Sequence, residues 1–448
     1  MLSYEYISFK VDWLIVSRQR YFTINLEEIF YFNNKKHRIY AVFGVSQTPK
    51  QEKPGKGGWA YMKKRGIVFI GIAVITVFLN ILAWNSTAFS DWYIAHIFPL
   101  WVNTYGRITG IFPFSVGEWL IAAGLVLLAT ALILLVLLAG VGIIRLIRRK
   151  TCAERFCRFA KGYYRFFSWV LLCVCLIMTL NCFILYHASS FSEKYFGENT
   201  EEQTPEQLIT VYNLVAENCN RLSEAMQRDA SGRIVYPGGE EKMADEARKL
   251  MTQLGESYGQ LSGWYPRPKA LFSSDFMCQQ YMQGYYFPFS MEANYNDVMY
   301  LLNIPATMCH ELAHLRGYIY EDEANFIGYL ACIQSEDDFI AYSGYMSVLV
   351  YLYNDLYKLY QAQPETFAAA AEAVTPIAVS GQVWEDDIFV TEEEWERIHA
   401  KELISTEVVD KAADTFIDTT LKLNGVSDGK ISYSRVVKLL IQYYDARG

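Results

Sequence analysis

The nine cysteines of this 448-residue chain include no C-x-x-C pair. That excludes a cysteine zinc knuckle and gives no disulfide framework. Charge is also scarce: 20% of residues are charged against 52% hydrophobic, and the formal net charge is −8. Such a balance lacks the basic footprint of a nucleic-acid binder, so no nucleic-acid partner is expected. No basic start leads into a short apolar core and a small-residue cleavage site, so no signal peptide is read. Internal repeats are absent. Charge is missing as well from the interior of three long apolar runs, and the runs organise the chain.

The runs span 66–84 (broken by Asn80), 120–144 and 166–186. About 20 residues at roughly 1.5 Å each cross a hydrocarbon core. Soluble folds rarely hold three such runs, so the chain is expected in a lipid bilayer. Trp119 and Trp169 lie at run ends, as interfacial aromatics do. With no charge at their centres, the runs offer no ion or proton path. Cys173, Cys175 and Cys182 read as small membrane-core residues. Lys63, Lys64 and Arg65 precede the first run, and eight Lys/Arg between Arg145 and Arg165 face only Glu154. The segment between the first two runs has Arg107 alone. The positive-inside rule then puts the N-terminus and the 145–165 loop in the cytoplasm and everything after His187 outside. The first outer loop, Asn85 to Glu118, is rich in Trp, Phe and Pro and is expected against the membrane surface.

Three parts follow. Residues 1–61 are either a true extension or the product of an early start codon, since Met62-Lys63-Lys64-Arg65 has the layout of a natural start. Residues 62–187 form the membrane part, and 188–448 an extracytoplasmic domain. In that domain Ser189 to Glu202 reads as a polar linker. Thr204-Pro205-Glu206-Gln207 reads as a capped helix start. Lys269–Ser273 and Gly284–Glu292 read as short strands, with Pro288 marking the second as an edge. Asn303 is expected to cap a helix with Pro305 in its first turn, and Gly317 to end it. Helices are further expected from Glu321 to about Gln334, Tyr345 to about Ala362, Pro364 to Val374, Glu392 to about Lys422, and Ser434 to about Tyr444. The fold class is a membrane-anchored α+β protein: three transmembrane helices, then a mostly helical domain with a small β-sheet.

The capped helix carries His310-Glu311-Leu312-Ala313-His314, with two of the six histidines in the chain. At i and i+4 both imidazoles share one face and can hold one metal ion. Glu311 lies about 100° round the helix, beside the metal and not on it, where a base acting on water belongs. A zinc site of this kind needs a third protein ligand and an open position. Glu321, Asp322 and Glu323 are in reach. Glu321 is favoured because Asn325, four residues on, shares its face and can support a ligand histidine; Glu323, with Ile327 at that offset, is the alternative. Zinc lowers the pKa of its bound water toward about 7, and Glu311 then takes the proton. Tyr342 or Tyr345 is a candidate oxyanion stabiliser, as is His399, although most tyrosines fill cores with the hydroxyl tied off. Cys309 points about 100° away from His310 and reads as packing. The edge strand offers a place for an extended peptide or protein substrate to add.

These motifs resemble the zincin superfamily in its gluzincin branch. His310, Glu311 and His314 match H-E-x-x-H, and Glu321 to Asn325 is similar to the E-x-x-A-D segment, with asparagine at its end. The layout resembles more closely an uncharacterised bacterial family of membrane proteins of unknown function. It shares three N-terminal spans, Y-F-P-F-[ST]-x-E-A-N (Tyr286 to Asn294), H-E-L-A-H-x-x-G, E-x-E-A-N-F and Y-S-G-Y. The resemblance covers about residues 62–448 and implies a zincin-like domain and a zinc metallopeptidase with no defined substrate. His314 and Glu321 lie closer together than in most gluzincins, which keeps the third ligand open. The competing reading is a non-catalytic zinc-binding envelope sensor or receptor, or a pseudo-peptidase.

Overall fold

The computed structural model describes residues 56–148, 153–197, 203–423 and 434–447. Residues 1–55 of the expected extension lie outside these. Among the described residues, three helices are long and apolar enough to cross a membrane: Lys64–Asn85, Val116–Ile147 and Glu154–His187. Each contains one of the expected runs. Polar side chains within them bond to their own helix, as Thr76, Thr130 and Ser168 do, or between helices, as an apolar medium demands. Asn80 Nδ2 donates to Thr179 Oγ1 at 2.7 Å. Tyr163 and Tyr164 donate to the carbonyls of Leu127 and Ala131 at 2.5 and 2.6 Å. The third span ends in a π turn, Thr179–Phe183, followed by a 3₁₀ turn, Leu185–His187. In the π turn, Asn181 Nδ2 donates to Pro288 O at 2.8 Å, so the span reaches into the domain that follows.

The loop after the first span does more than lie on a surface. Its helix α1 (Thr87–His96) and the turns after it bury Tyr93, Ile94, Phe98 and Val102 in the same core as the later helices. Trp92, Leu100, Ile108 and Ile111 remain exposed. The expected polar linker after His187 contains a short helix, Phe191–Tyr195, closed by a Ser190/Glu193 capping box. Helices α2 (Pro205–Ala225) and α3 (Gly239–Ser257) follow, α2 starting at the expected Thr204/Gln207 capping box.

The sheet has strands β1 (Lys269–Ala270), β2 (Gly284–Phe287) and β3 (Glu292–Tyr295), in the order β1-β3-β2. β1 is parallel to β3, and β2 antiparallel to it. Both expected strands need correction. β1 stops at Ala270 because the N–H groups of Phe272 and Ser273 turn to the Glu118 carboxylate, at 2.9 and 2.8 Å. Gly284–Glu292 is a hairpin and not one strand: Met291 takes a left-handed φ of 53°, and its N–H returns to Phe287 O at 2.9 Å. Pro288 sits in that turn, and β2 is indeed an edge strand.

Helices α4 (Ile304–His314), α5 (Glu321–Cys332) and α6 (Asp338–Ala362) form the centre of the domain, with α7 (Ser434–Asp445) packed on α5 and α6. Asn303 precedes α4 but does not cap it; its amide donates to Ile388 O at 2.9 Å. Ser343 on α6 supplies an acceptor instead, Oγ to Ala306 N at 3.1 Å, so the Y-S-G-Y motif holds the start of α4. The expected helix from Glu392 to Lys422 is two, Glu392–His399 and Thr406–Leu423. Between them Gln279 holds Ile404 O, and Glu402 accepts from Thr406 N, both at 3.2 Å.

A buried polar junction ties the sheet to the second span. Lys269 and Glu292 form an ion pair with side chains 6% and 1% exposed. Glu292 also accepts the N–H of Val116 and Gly117 at 3.2 and 2.9 Å, at the start of the second span, where a helix terminus favours negative charge. Lys269 Nζ donates to Thr109 O and Phe114 O at 2.8 and 3.0 Å. Glu292→Gln leaves the lysine charge buried and unpaired, which costs about 3–5 kcal/mol. The full chain in detergent should unfold well below the wild-type temperature; an unchanged unfolding temperature would contradict this role.

Candidate metal centre

Nearly all of α4 is buried, so its side chains are held by packing on every side. Gly317 reverses the chain after it with φ at +87°, where L side chains are strained. Its N–H bonds His314 O at 3.0 Å. The reversal brings Glu321, at the start of α5, back to the two histidines.

The tautomers follow from the partners. His314 Nδ1 lies 2.6 Å from Tyr318 O. A carbonyl only accepts, so Nδ1 carries the proton and neutral His314 presents a lone pair at Nε2. His310 Nδ1 lies 2.8 Å from Asn325 Oδ1, with the same consequence. The two Nε2 atoms face each other at 3.1 Å. Glu321 Oε2 is 3.1 Å from His310 Nε2, and Oε1 is 3.8 Å from His314 Nε2. The three ligand atoms lie within 4.8 Å of one another. Three electron-pair donors brought together in this way repel unless a cation stands among them.

The charge states agree. Burial works against a charged His310, but the Glu321 carboxylate prevails and lifts its pKa to about 9. Against its partial burial, Glu321 is held at about 2 by the bond to His310. Burial pushes His314 down to about 4 despite the nearby Glu321 charge. A proton shared by His310 and Glu321 therefore serves where a larger cation fits. Two imidazoles and a carboxylate, with both Nδ1 atoms anchored, suit a divalent metal.

Glu311 stands beside this group. It is 3% exposed, and its Oε1 is 4.0 Å from His310 Nε2. Its Oε2 is buried without a hydrogen-bond partner. Burial, then opposed by His310 and assisted by Glu321, raises its pKa to about 8. It packs against β2, where a Cβ on Gly284 would come within 2.7 Å of Oε1. Only glycine lets the edge strand pass this close.

Other expected residues lie elsewhere. Glu323 does not join the His310–His314–Glu321 group: its Oε1 accepts Phe191 N at 2.5 Å, and burial raises its pKa to about 8. Tyr342 donates its hydroxyl to Asp386 at 2.8 Å, and Asp386 is clasped by Arg228. The ring of Tyr345 packs edge-on against Tyr329 at 5.7 Å. His399 stacks on Trp395 at 5.3 Å. Cys309 is fully buried, with its Sγ 3.8 Å from Cys332 Sγ. The tyrosine on α6 that feels the site is Tyr351, pushed up to about 12 by burial and by the Glu321 charge. Its place in a run with Tyr353, Tyr357 and Tyr360 gives no local sign of this.

Comparison with curated proteins finds no match, and comparison with solved structures finds none either. A family profile matches residues 93–441, a stretch that includes the second and third spans, the sheet and every residue of the centre. The chain belongs to that family, described as a protein of unknown function (DUF3810).

Proposed function

We propose that this protein is a membrane-anchored zinc metallopeptidase that hydrolyses peptide bonds outside the cytoplasmic membrane. One observation carries the reading: the His310–His314–Glu321 group stands beside Glu311, a buried carboxylate outside the ligand set whose Oε2 has no partner. Zinc bound by the three residues would supply Lewis acidity, polarising a carbonyl and acidifying water. Glu311 accepts the proton of the attacking water at Oε2 and passes it to the leaving amine. A raised carboxyl pKa suits a group that must take a proton and release it near neutrality. Asn325 and Tyr318 O keep both Nε2 lone pairs turned inward throughout. β2 is the outer strand of its sheet and runs past Glu311, so an extended peptide can add along it. The resemblance to gluzincins supports the same reading. The lysines and arginines flanking the spans support an N-terminus inside and the site outside.

The full chain, purified in an uncharged detergent, should carry stoichiometric zinc. Chelation should abolish cleavage of an unstructured protein substrate, and added zinc should restore it. A preparation without stoichiometric zinc, or one that cleaves equally after chelation, would sink the proposal.

A further inference from the structure

A cavity of about 520 Å³ is lined in part by Leu315 and Arg316 of the turn that follows His314, and it shares no lining residue with the metal centre. Four segments meet there: α1 and the turn after it, just after the first span; the short helix Phe191–Tyr195 just after the third; Gly259–Ser262 just after α3; and Leu315–Arg316 just after α4. Ile94, Phe98 and Leu315 give it apolar walls, and Lys194, Gln260 and Arg316 give it polar ones.

Arg316 is the unusual member. It is 3% exposed, and among the described residues no carboxylate pairs with it. A guanidinium cannot discharge itself by losing a proton, and a buried unpaired charge is costly. Its Nη2 donates to Trp264 O at 2.5 Å, and its plane lies over the Tyr265 ring at 4.3 Å. Those contacts hold the group without neutralising it, and Nε is buried with no partner. Lys194, with a side chain 20% exposed, pairs with Asp91 at 2.9 Å and donates to Gln260 at 2.7 Å. That leaves one ammonium proton of its three. Asp91 is itself committed to Ser189 N and Oγ at 3.0 and 2.6 Å. Two cations and one anion leave the cavity with a net positive charge.

We propose that this cavity binds a phosphate group, carried by a membrane lipid or free in solution. Arg316 and Lys194 neutralise the phosphate. The apolar walls, two of them on the segment that follows the first span, accept the adjoining glycerol and the start of the acyl chains. The cavity borders the turn that returns Glu321 to the histidines, so its occupant braces the C-terminal end of α4. The proposal does not depend on peptidase activity.

The test uses the full chain, stripped of lipid in an uncharged detergent and titrated with phosphatidylglycerol while bound lipid is counted by native mass spectrometry. Diacylglycerol is the control without phosphate, and inorganic phosphate is the free competitor. Arg316 is too buried to replace safely. Lys194→Gln removes the second cation, and Ala95→Trp fills the cavity from an exposed position on its wall. Phosphatidylglycerol should bind at least about 10-fold more tightly than diacylglycerol, the weight of one charge-assisted hydrogen bond. Each variant should weaken it by about the same factor while unfolding at the wild-type temperature. Binding of inorganic phosphate alone, lost in both variants, would support the site with free phosphate as the source. Equal binding of the two lipids with no phosphate effect, or full phosphatidylglycerol binding by folded Ala95→Trp, would overturn the proposal.

Discussion

Glu311→Gln should keep its zinc and lose about 10²- to 10⁴-fold in peptide cleavage, the range set by removing a general base. The two outcomes separate because Glu311 is near the metal group without belonging to it. Its Oε1 stands 4.0 Å from His310 Nε2, while Glu321 makes the 3.1 Å contact. Glutamine has the same shape and can still present an oxygen at Oε1, but it cannot take a proton. Misfolding does not offer an alternative account. Burial already disfavours the Glu311 charge and raises its pKa to about 8. A neutral amide removes a charge that folding opposes, so the variant should unfold no earlier than the wild type. The sign can be followed with pH in the zinc-free protein. The unfolded carboxyl loses its proton near its ordinary value, while the folded one keeps it up to about 8. Wild-type stability therefore falls as pH rises across that interval, and the glutamine variant is spared this loss. Cleavage, metal content and unfolding temperature measured on one preparation check all three. Undiminished cleavage by the zinc-loaded variant would remove Glu311 from the proposed chemistry.

The centre was legible where helical periodicity governs it. His310 and His314 at four residues, Glu321 and Asn325 at four residues, and a glycine between them are local patterns, and the structure keeps each one. The apolar runs were legible because hydrocarbon thickness sets their length. What the sequence hid is decided across long separations. The Met291 turn depends on a left-handed backbone that methionine does not advertise. Lys269 meets Thr109 from 160 residues away. Ser343 reads as part of a tyrosine motif until α6 is seen against the start of α4. Gly284 reads as a strand boundary until Glu311 stands against it. These contacts share one consequence. The sheet beside the centre is tied to the start of the second span through Glu292 and to the end of the third through Asn181. The edge strand is thereby held at a fixed height relative to the spans.

Glu321→Gln should abolish stoichiometric zinc, whereas Glu323→Gln should leave it intact. Both residues lie in the first turn of α5, so the comparison isolates side-chain direction from any general effect on the helix. Glu321 points at both imidazoles, and its carboxylate supplies the negative charge of the donor set. An amide in its place offers a weaker donor without charge. The loss of affinity should exceed the roughly 10- to 100-fold that follows from removing a residue that merely supports a ligand. Asn325→Ala, which frees His310 Nδ1, provides that smaller loss as an internal scale. Glu323 instead accepts Phe191 N in a buried setting that already raises its pKa to about 8. A glutamine oxygen can accept the same N–H, so the fold should tolerate the change. Zinc counted per chain after dialysis decides between them. Retention by Glu321→Gln together with loss by Glu323→Gln would reassign the third ligand, and retention by both would mean that the two histidines hold the metal without a carboxylate from α5.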